Sequence, residues 1–117
     1  MLNTLGVATI LVGVALAGVQ LGCTNNVILS NQEIKVLLAH ARTSEDHVRL
    51  AAHYRAKAAA YESDAKQHEE LAAYYKGSGS FESNDHCEVL VLANRNAVTQ
   101  ARALAASHEQ LAGLAGK

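Results

Sequence analysis

Imidazole and thiol are the side chains in this sequence able to bind a transition metal or carry a proton near neutral pH, and they recur on one spacing. His47 and His68 stand three heptads apart, and so do Cys87 and His108. If the chain turns back on itself between them, residues whose numbers add to a constant lie opposite one another. His47 with His108 and His68 with Cys87 both add to 155, which places the turn near residue 78. Each end of such a hairpin presents a facing pair of metal-capable groups, and the ends lie about six turns, roughly 30 Å, apart. His86 adds a donor beside Cys87, and His40, a heptad before His47, adds one at the other end. Imidazole nitrogen and thiolate sulfur suit Zn²⁺, Cu⁺ or Cu²⁺, and Ni²⁺. The candidate metal ligands are therefore His47, His108, His68, His86 and Cys87. Glu69 and Glu109 are close enough to support the histidines as hydrogen-bond acceptors or to ligate.

The pattern matches no standard motif. C-x-x-C, H-E-x-x-H and C-x-x-C-H are all absent, so neither a common zinc site, a metalloprotease nor a haem attachment is indicated. A helix pair ending at 75 and restarting at 85 would move the constant to about 160 and part the facing groups by about 7.5 Å. The competing reading gives these histidines a packing role, bonded to a backbone carbonyl or a carboxylate. Tyr54, Tyr61, Tyr74 and Tyr75 read as bulk with a wet hydroxyl. Tyr61 falls opposite Asn94, a pairing that would fix register by a hydrogen bond. His53 belongs to neither row of the repeat and is expected at the surface. Cys87 reads as a ligand, a disulfide partner for Cys23 or another chain, or an inert buried thiol.

The elements that must position these groups are helices. Stepping by sevens from His47 gives His47, Tyr54, Tyr61, His68 and Tyr75, while stepping from Ala51 gives Ala51, Ala58, Ala65 and Ala72. The rows interleave at spacings of four and three, the seam of a coiled-coil helix, and the alanine row admits a close neighbour. An internal repeat lies at an offset of 40: His68-Glu69-Glu70-Leu71-Ala72 recurs as His108-Glu109-Gln110-Leu111-Ala112, and Leu50, Arg55 and Ala65 recur as Leu90, Arg95 and Ala105. The second helix carries Cys87, Asn94, Ala101, His108 and Ala115 on one row, and Val91, Val98, Ala105 and Ala112 on the other.

Start and stop signals predict helices over about 31–42, 44–75 and 82–114. Ser30 with Glu33 forms a capping box, and Ile34, Leu37, Leu38 and Ala41 give the first helix one apolar face, short enough that it should brace the longer pair. Ser44 is the expected cap of the second helix, after a break that the dihedrals could also accommodate as a kink. Its outer face is charged through Arg49, Lys57, Glu62, Asp64, Lys66 and Glu70. Lys76-Gly77-Ser78-Gly79-Ser80 is the one clear breaker, with Gly77 expected in the left-handed conformation and Ser80, Ser83 and Asn84 as candidate caps for the third helix. The predicted fold is all-α: a long antiparallel helical hairpin with a short bracing helix, a three-helix arrangement, plus an N-terminal hydrophobic signal or anchor helix. Residues 1–23 form the signal or membrane anchor segment and 24–117 the hairpin domain.

Residues 1–22 carry no charged side chain, and Leu5 to Leu21 is almost wholly apolar. Such a run is an export signal cut before a lipidated Cys23, an uncleaved transmembrane anchor, or a signal cleaved near Ala15-Leu16-Ala17. Val19-Gln20-Leu21-Gly22-Cys23 resembles the bacterial lipoprotein box, which makes Cys23 the lipidation candidate. Each alternative puts the polar part outside the cytoplasm, in the bacterial cell envelope on the periplasmic or extracellular side, attached to the membrane by the N-terminal segment or a lipid. The 117 residues contain no Pro, no Trp and one Phe, with a net charge of −1, which favours long helices around a thin core and leaves no basic stripe for nucleic acid.

The run Asp46-His47…Leu50-Ala51…Tyr54…Lys57-Ala58…His68-Glu69-Glu70-Leu71-Ala72, with His86-Cys87 and His108-Glu109-Gln110-Leu111-Ala112, resembles a set of uncharacterised small exported bacterial Ala/His-rich helical proteins. Histidines at heptad spacing on Ala-rich helices are also similar to small periplasmic metal-binding helical proteins, a likeness that implies metal buffering. Two functions are expected. The chain is a membrane-tethered structural or accessory module that associates with itself or with a larger envelope complex, because a thin alanine core leaves apolar surface in want of a partner. Alternatively it binds Zn, Cu or Ni through the seam residues. No Ser-His-Asp spacing or phosphate loop occurs, and no enzymatic activity is expected.

Overall fold

The structure, a computed structural model, describes residues 28–115. They form three helices, α1 (Asn31–His40), α2 (Ser44–Gly77) and α3 (Phe81–Ala115). Helices α2 and α3 pack along each other as an antiparallel hairpin, the all-α arrangement that the two related rows predict. Residues 1–23, with the signal or anchor segment and Cys23, lie outside the described residues. Among the described residues no helix is long and apolar enough to cross a membrane.

The hairpin is held at its seam by side chains of one to three carbons. Ala51, Ala58, Ala65 and Ala72 of α2 are all buried, and so are Val91, Val98, Ala101, Ala105 and Ala112 of α3. Ala58, Val98 and Ala101 form a packed cluster with Tyr61 laid against it. Each alanine removes little more than a methyl from water, about 0.8 kcal/mol on the methylene scale. Stability therefore rests on many small contacts at close approach and on the high helix propensity of alanine. Among the described residues, Leu50 is the one large side chain that is fully buried.

The helix ends fix where the seam begins. Helix α1 starts with the expected capping box, Glu33 N–H donating to Ser30 Oγ at 3.2 Å and Ser30 N–H to Glu33 Oε2 at 2.8 Å. At α2 the cap is Thr43 rather than Ser44. Capping at Thr43 puts Asp46 at the third helical position, where the reciprocal bonds close at 3.1 and 3.0 Å; capping at Ser44 would put His47 there. The chain between α1 and α2 is broken outright, with Ala41 and Thr43 extended.

The turn also differs from expectation. Gly77 stays helical, and Gly79 takes the left-handed conformation at φ 80°. Ser80 N–H then reaches Tyr75 O at 2.9 Å and Gly79 N–H reaches Lys76 O at 3.3 Å, the paired bonds of a Schellman ending. Helix α1 braces less than predicted. It touches α2 alone and buries no residue, because only Ile34 and Leu37 are partly covered while Val36 and Leu38 face outward.

Candidate functional site

At the open end of the hairpin, the heptad rows of α2 and α3 bring four rings together. His47 Nδ1 lies 3.2 Å from His108 Nδ1, so the constant of 155 is the one realised. Their rings stack with centroids 5.4 Å apart and planes at 23°. Tyr54 also stacks on His108 at 5.7 Å, nearly parallel, and meets His53 edge-on at 5.0 Å. His53 in turn accepts a hydrogen bond at Nδ1 from the Leu29 N–H, 2.9 Å long. A column of rings thus runs from the segment before α1, through α2, to α3.

The electrostatics of this column favour neutral rings. Burial, and then the charge of His47, hold His108 below the ordinary histidine range. Burial, and then the charge of Lys57, do the same for His53, whose Nδ1 must be unprotonated to accept from Leu29. In the His47–His108 contact one Nδ1 must donate and the other accept, so the pair accommodates one proton between the two facing nitrogens and excludes a second. The same two nitrogens have the bite of a chelate: metal bonds of about 2.0–2.1 Å would span 3.2 Å at an angle of roughly 100°. His40 is exposed on the last turn of α1 and makes no hydrogen bond to the pair.

The turn end carries the repeat-related pair. The offset of 40 carries His47 onto Cys87 and relates His108 to His68. His68, His86 and Cys87 line one cleft with Glu82, Tyr75 and Leu90. Cys87 is buried and His86 exposed. The Nδ1 of His68 is buried without a hydrogen-bond partner, as is Oδ1 of Asn84, whose amide nitrogen donates to Asp85 and Glu88. Among the described residues no three His, Cys, Asp or Glu side chains converge on a common point, so each end offers at most a pair of ligands.

The two glutamates expected behind the histidines are used otherwise. Glu109 pairs with Arg55 and Glu69 with Arg95, while Glu62 takes Arg102 at 3.0 Å. The first two bridges are exchanged by the repeat, since Arg55 maps onto Arg95 and Glu69 onto Glu109. Tyr61 makes no hydrogen bond to Asn94; its face carries the Lys57 ammonium at 4.9 Å from the ring centre. His53, expected at the surface, is buried. The residue that covers it is Leu29, in a segment the heptad rows do not describe.

The ion pairs also shape the outside of the hairpin. From Val89 to Ala115, α3 has three charged residues, Arg95, Arg102 and Glu109, and all three are engaged across the hairpin. From Val89 onward the rest of the surface of α3 is therefore uncharged, and it exposes Val89, Leu92, Leu104, Leu111 and Leu114, with Leu92 on the Arg95 side and Leu104 on the Tyr61 side. Comparison with protein-family models, with curated proteins and with solved structures finds no match to this chain.

Proposed function

We propose that this chain is a structural or accessory module of the bacterial envelope, attached to the membrane through residues 1–23, whose hairpin serves protein–protein association. The uncharged outer face of α3 carries this reading. A solvent-facing helix surface of this length ordinarily bears charge, and here every charge from Val89 to Ala115 has been drawn to one edge to tie α3 to α2. What remains is an uncharged surface with five exposed aliphatic side chains. No catalytic step is involved. Sedimentation velocity of the full chain in detergent micelles, over a rising concentration series and with envelope extract added, tests the reading. Formation of a larger species is expected; a compact monomer under every condition would refute it.

The His47–His108 contact favours a second reading, binding of Zn²⁺, Cu²⁺ or Ni²⁺. Two facing imidazole nitrogens at 3.2 Å supply half a tetrahedral site, and water or a second chain would complete it. At the turn, two of His68, His86 and Cys87 would form the corresponding pair. A metal bound only by the folded state raises the melting midpoint, and His47→Ala should reduce the rise by removing one of the two sites. Unchanged melting with all three metals at saturation would eliminate this reading.

A further inference from the structure

We infer that His53 is an acid-released latch: neutral, it holds the chain before α1 against the hairpin, and once charged it lets that chain and α1 swing away while α2 and α3 stay paired. Little else holds α1 in place. The helix buries no residue and touches α2 alone. Among the described residues, the 2.9 Å bond from the Leu29 N–H to His53 Nδ1 is the one hydrogen bond that joins residues 28–40 to the hairpin, and no ion pair joins them. After α1 the chain is extended at Ala41 and Thr43, a break at which α1 can pivot. The capping box of Thr43 and Asp46 closes the start of α2 independently of α1.

The bond is sensitive to a proton by its chemistry. An imidazole nitrogen accepts only when it carries no hydrogen, so Nε2 bears the ring proton while the latch is closed. A second proton makes both nitrogens donors, and Nδ1–H then faces the Leu29 N–H, which loses its acceptor. Burial, and then the charge of Lys57, hold the closed ring below the ordinary histidine range. The open form therefore binds the proton more readily. Closure is favoured above about pH 6.5 and is lost as the pH falls through the lowered value.

The surroundings of His53 leave its charged form without support. On α2, Lys57 supplies positive charge and Tyr54 meets the ring edge-on. On the α3 side, neutral Gln100 lines the same groove, and His108 stacks on Tyr54. Toward α1, Arg49 shares a groove with Glu33. The Glu33 carboxylate is committed to Ser30, whose bonds hold it below its usual range, so it remains ionised where His53 titrates. Among the described residues no carboxylate pairs with His53.

The latch stands apart from both readings above. Taken together with attachment through residues 1–23, it would set the reach of the tether, since opening adds the length of α1, 10 residues or about 15 Å.

Nuclear magnetic resonance of the full chain in micelles, titrated from pH 7.5 to 5, tests the inference by following the His53 ring nitrogens and the amide protection factors of Leu29 and Leu50. The Leu29 protection should fall at least tenfold with the midpoint of His53, while that of Leu50, in the hairpin core, holds. His53→Asn, whose side-chain oxygen accepts without titrating, should keep Leu29 protected at pH 5. Three results would overturn the latch: Leu29 still protected after His53 is charged, Leu29 and Leu50 losing protection in one step, or His53→Asn following the natural chain.

Discussion

Helices α2 and α3 derive from one repeat, and they agree on the inside while differing on the outside. Within the hairpin, Ala51, Ala58, Ala65 and Ala72 are buried on one side of the seam and their counterparts Val91, Val98, Ala105 and Ala112 on the other, and the Arg55–Glu109 bridge is matched by Arg95–Glu69. Outside, Arg49, Asp64, Lys66 and Glu70 of α2 are replaced in α3 by Val89, Leu104, Ala106 and Gln110. The seam and its ion-pair edge suffice to define the hairpin, and α2 shows that a charged outer face is compatible with it. Loss of charge from α3 is therefore not a requirement of the fold, and it is at this face that a function beyond folding should be sought.

The largest test of that contrast uses the interior. Leu50 is fully buried and its counterpart Leu90 only partly so. Leu50→Ala should cost about 2–5 kcal/mol in chemical denaturation, and Leu90→Ala clearly less. Equal losses would mean that the two halves of the core are closer to symmetric than the structure shows. Next, Ala65→Leu should cost about 1–3 kcal/mol by forcing the seam apart, whereas Ala106→Leu on the outer face of α3 should be nearly neutral.

Acid should weaken the open end. Histidines held below their ordinary range are more readily protonated in the unfolded chain. Stability from His53 and His108 is therefore fully present above about pH 6.5 and is lost as the pH falls through their folded-state values. Denaturation curves at stepwise lower pH should show this decline, and His53→Ala should reduce it. The equivalent of His53 in α3 is Ala93, so the turn end has no matching contribution. The smallest effects belong to the ion pairs. Arg55→Ala and Arg95→Ala should each cost about 0–1 kcal/mol, and the same amount as one another, because both bridges are exposed and are related by the repeat.

The heptad rows make the hairpin and the His47–His108 contact legible, since an alanine row has one use and facing histidines mark the register. What the rows miss has physical causes. One constant describes the seam but not its edge, where the three ion pairs all add to 164. Helical side chains lean toward their own N-terminus, so in an antiparallel pair long residues meet partners further along the facing helix than their backbones do. The rows alone therefore point Glu69 and Glu109 at histidines, whereas it is arginines that reach them. Gly77 and Gly79 are both adequate residues for a helix end, and only the carbonyls left open by α2 decide between them. The hydrogen bond to His53 comes from Leu29, whose position no periodic signal reports.

The association reading is tested most directly by moving the charges of α2 onto α3. Sedimentation equilibrium of the full chain in micelles would compare the natural sequence with a variant carrying Val89→Arg, Leu104→Asp and Ala106→Lys, the residues found at the repeat-related positions of α2. The natural chain, alone or with envelope extract added, should form a larger species, and the variant should remain monomeric with its helix content intact. A larger species that survives the added charges, or a natural chain that is monomeric under both conditions, would contradict the assignment of association to the surface of α3.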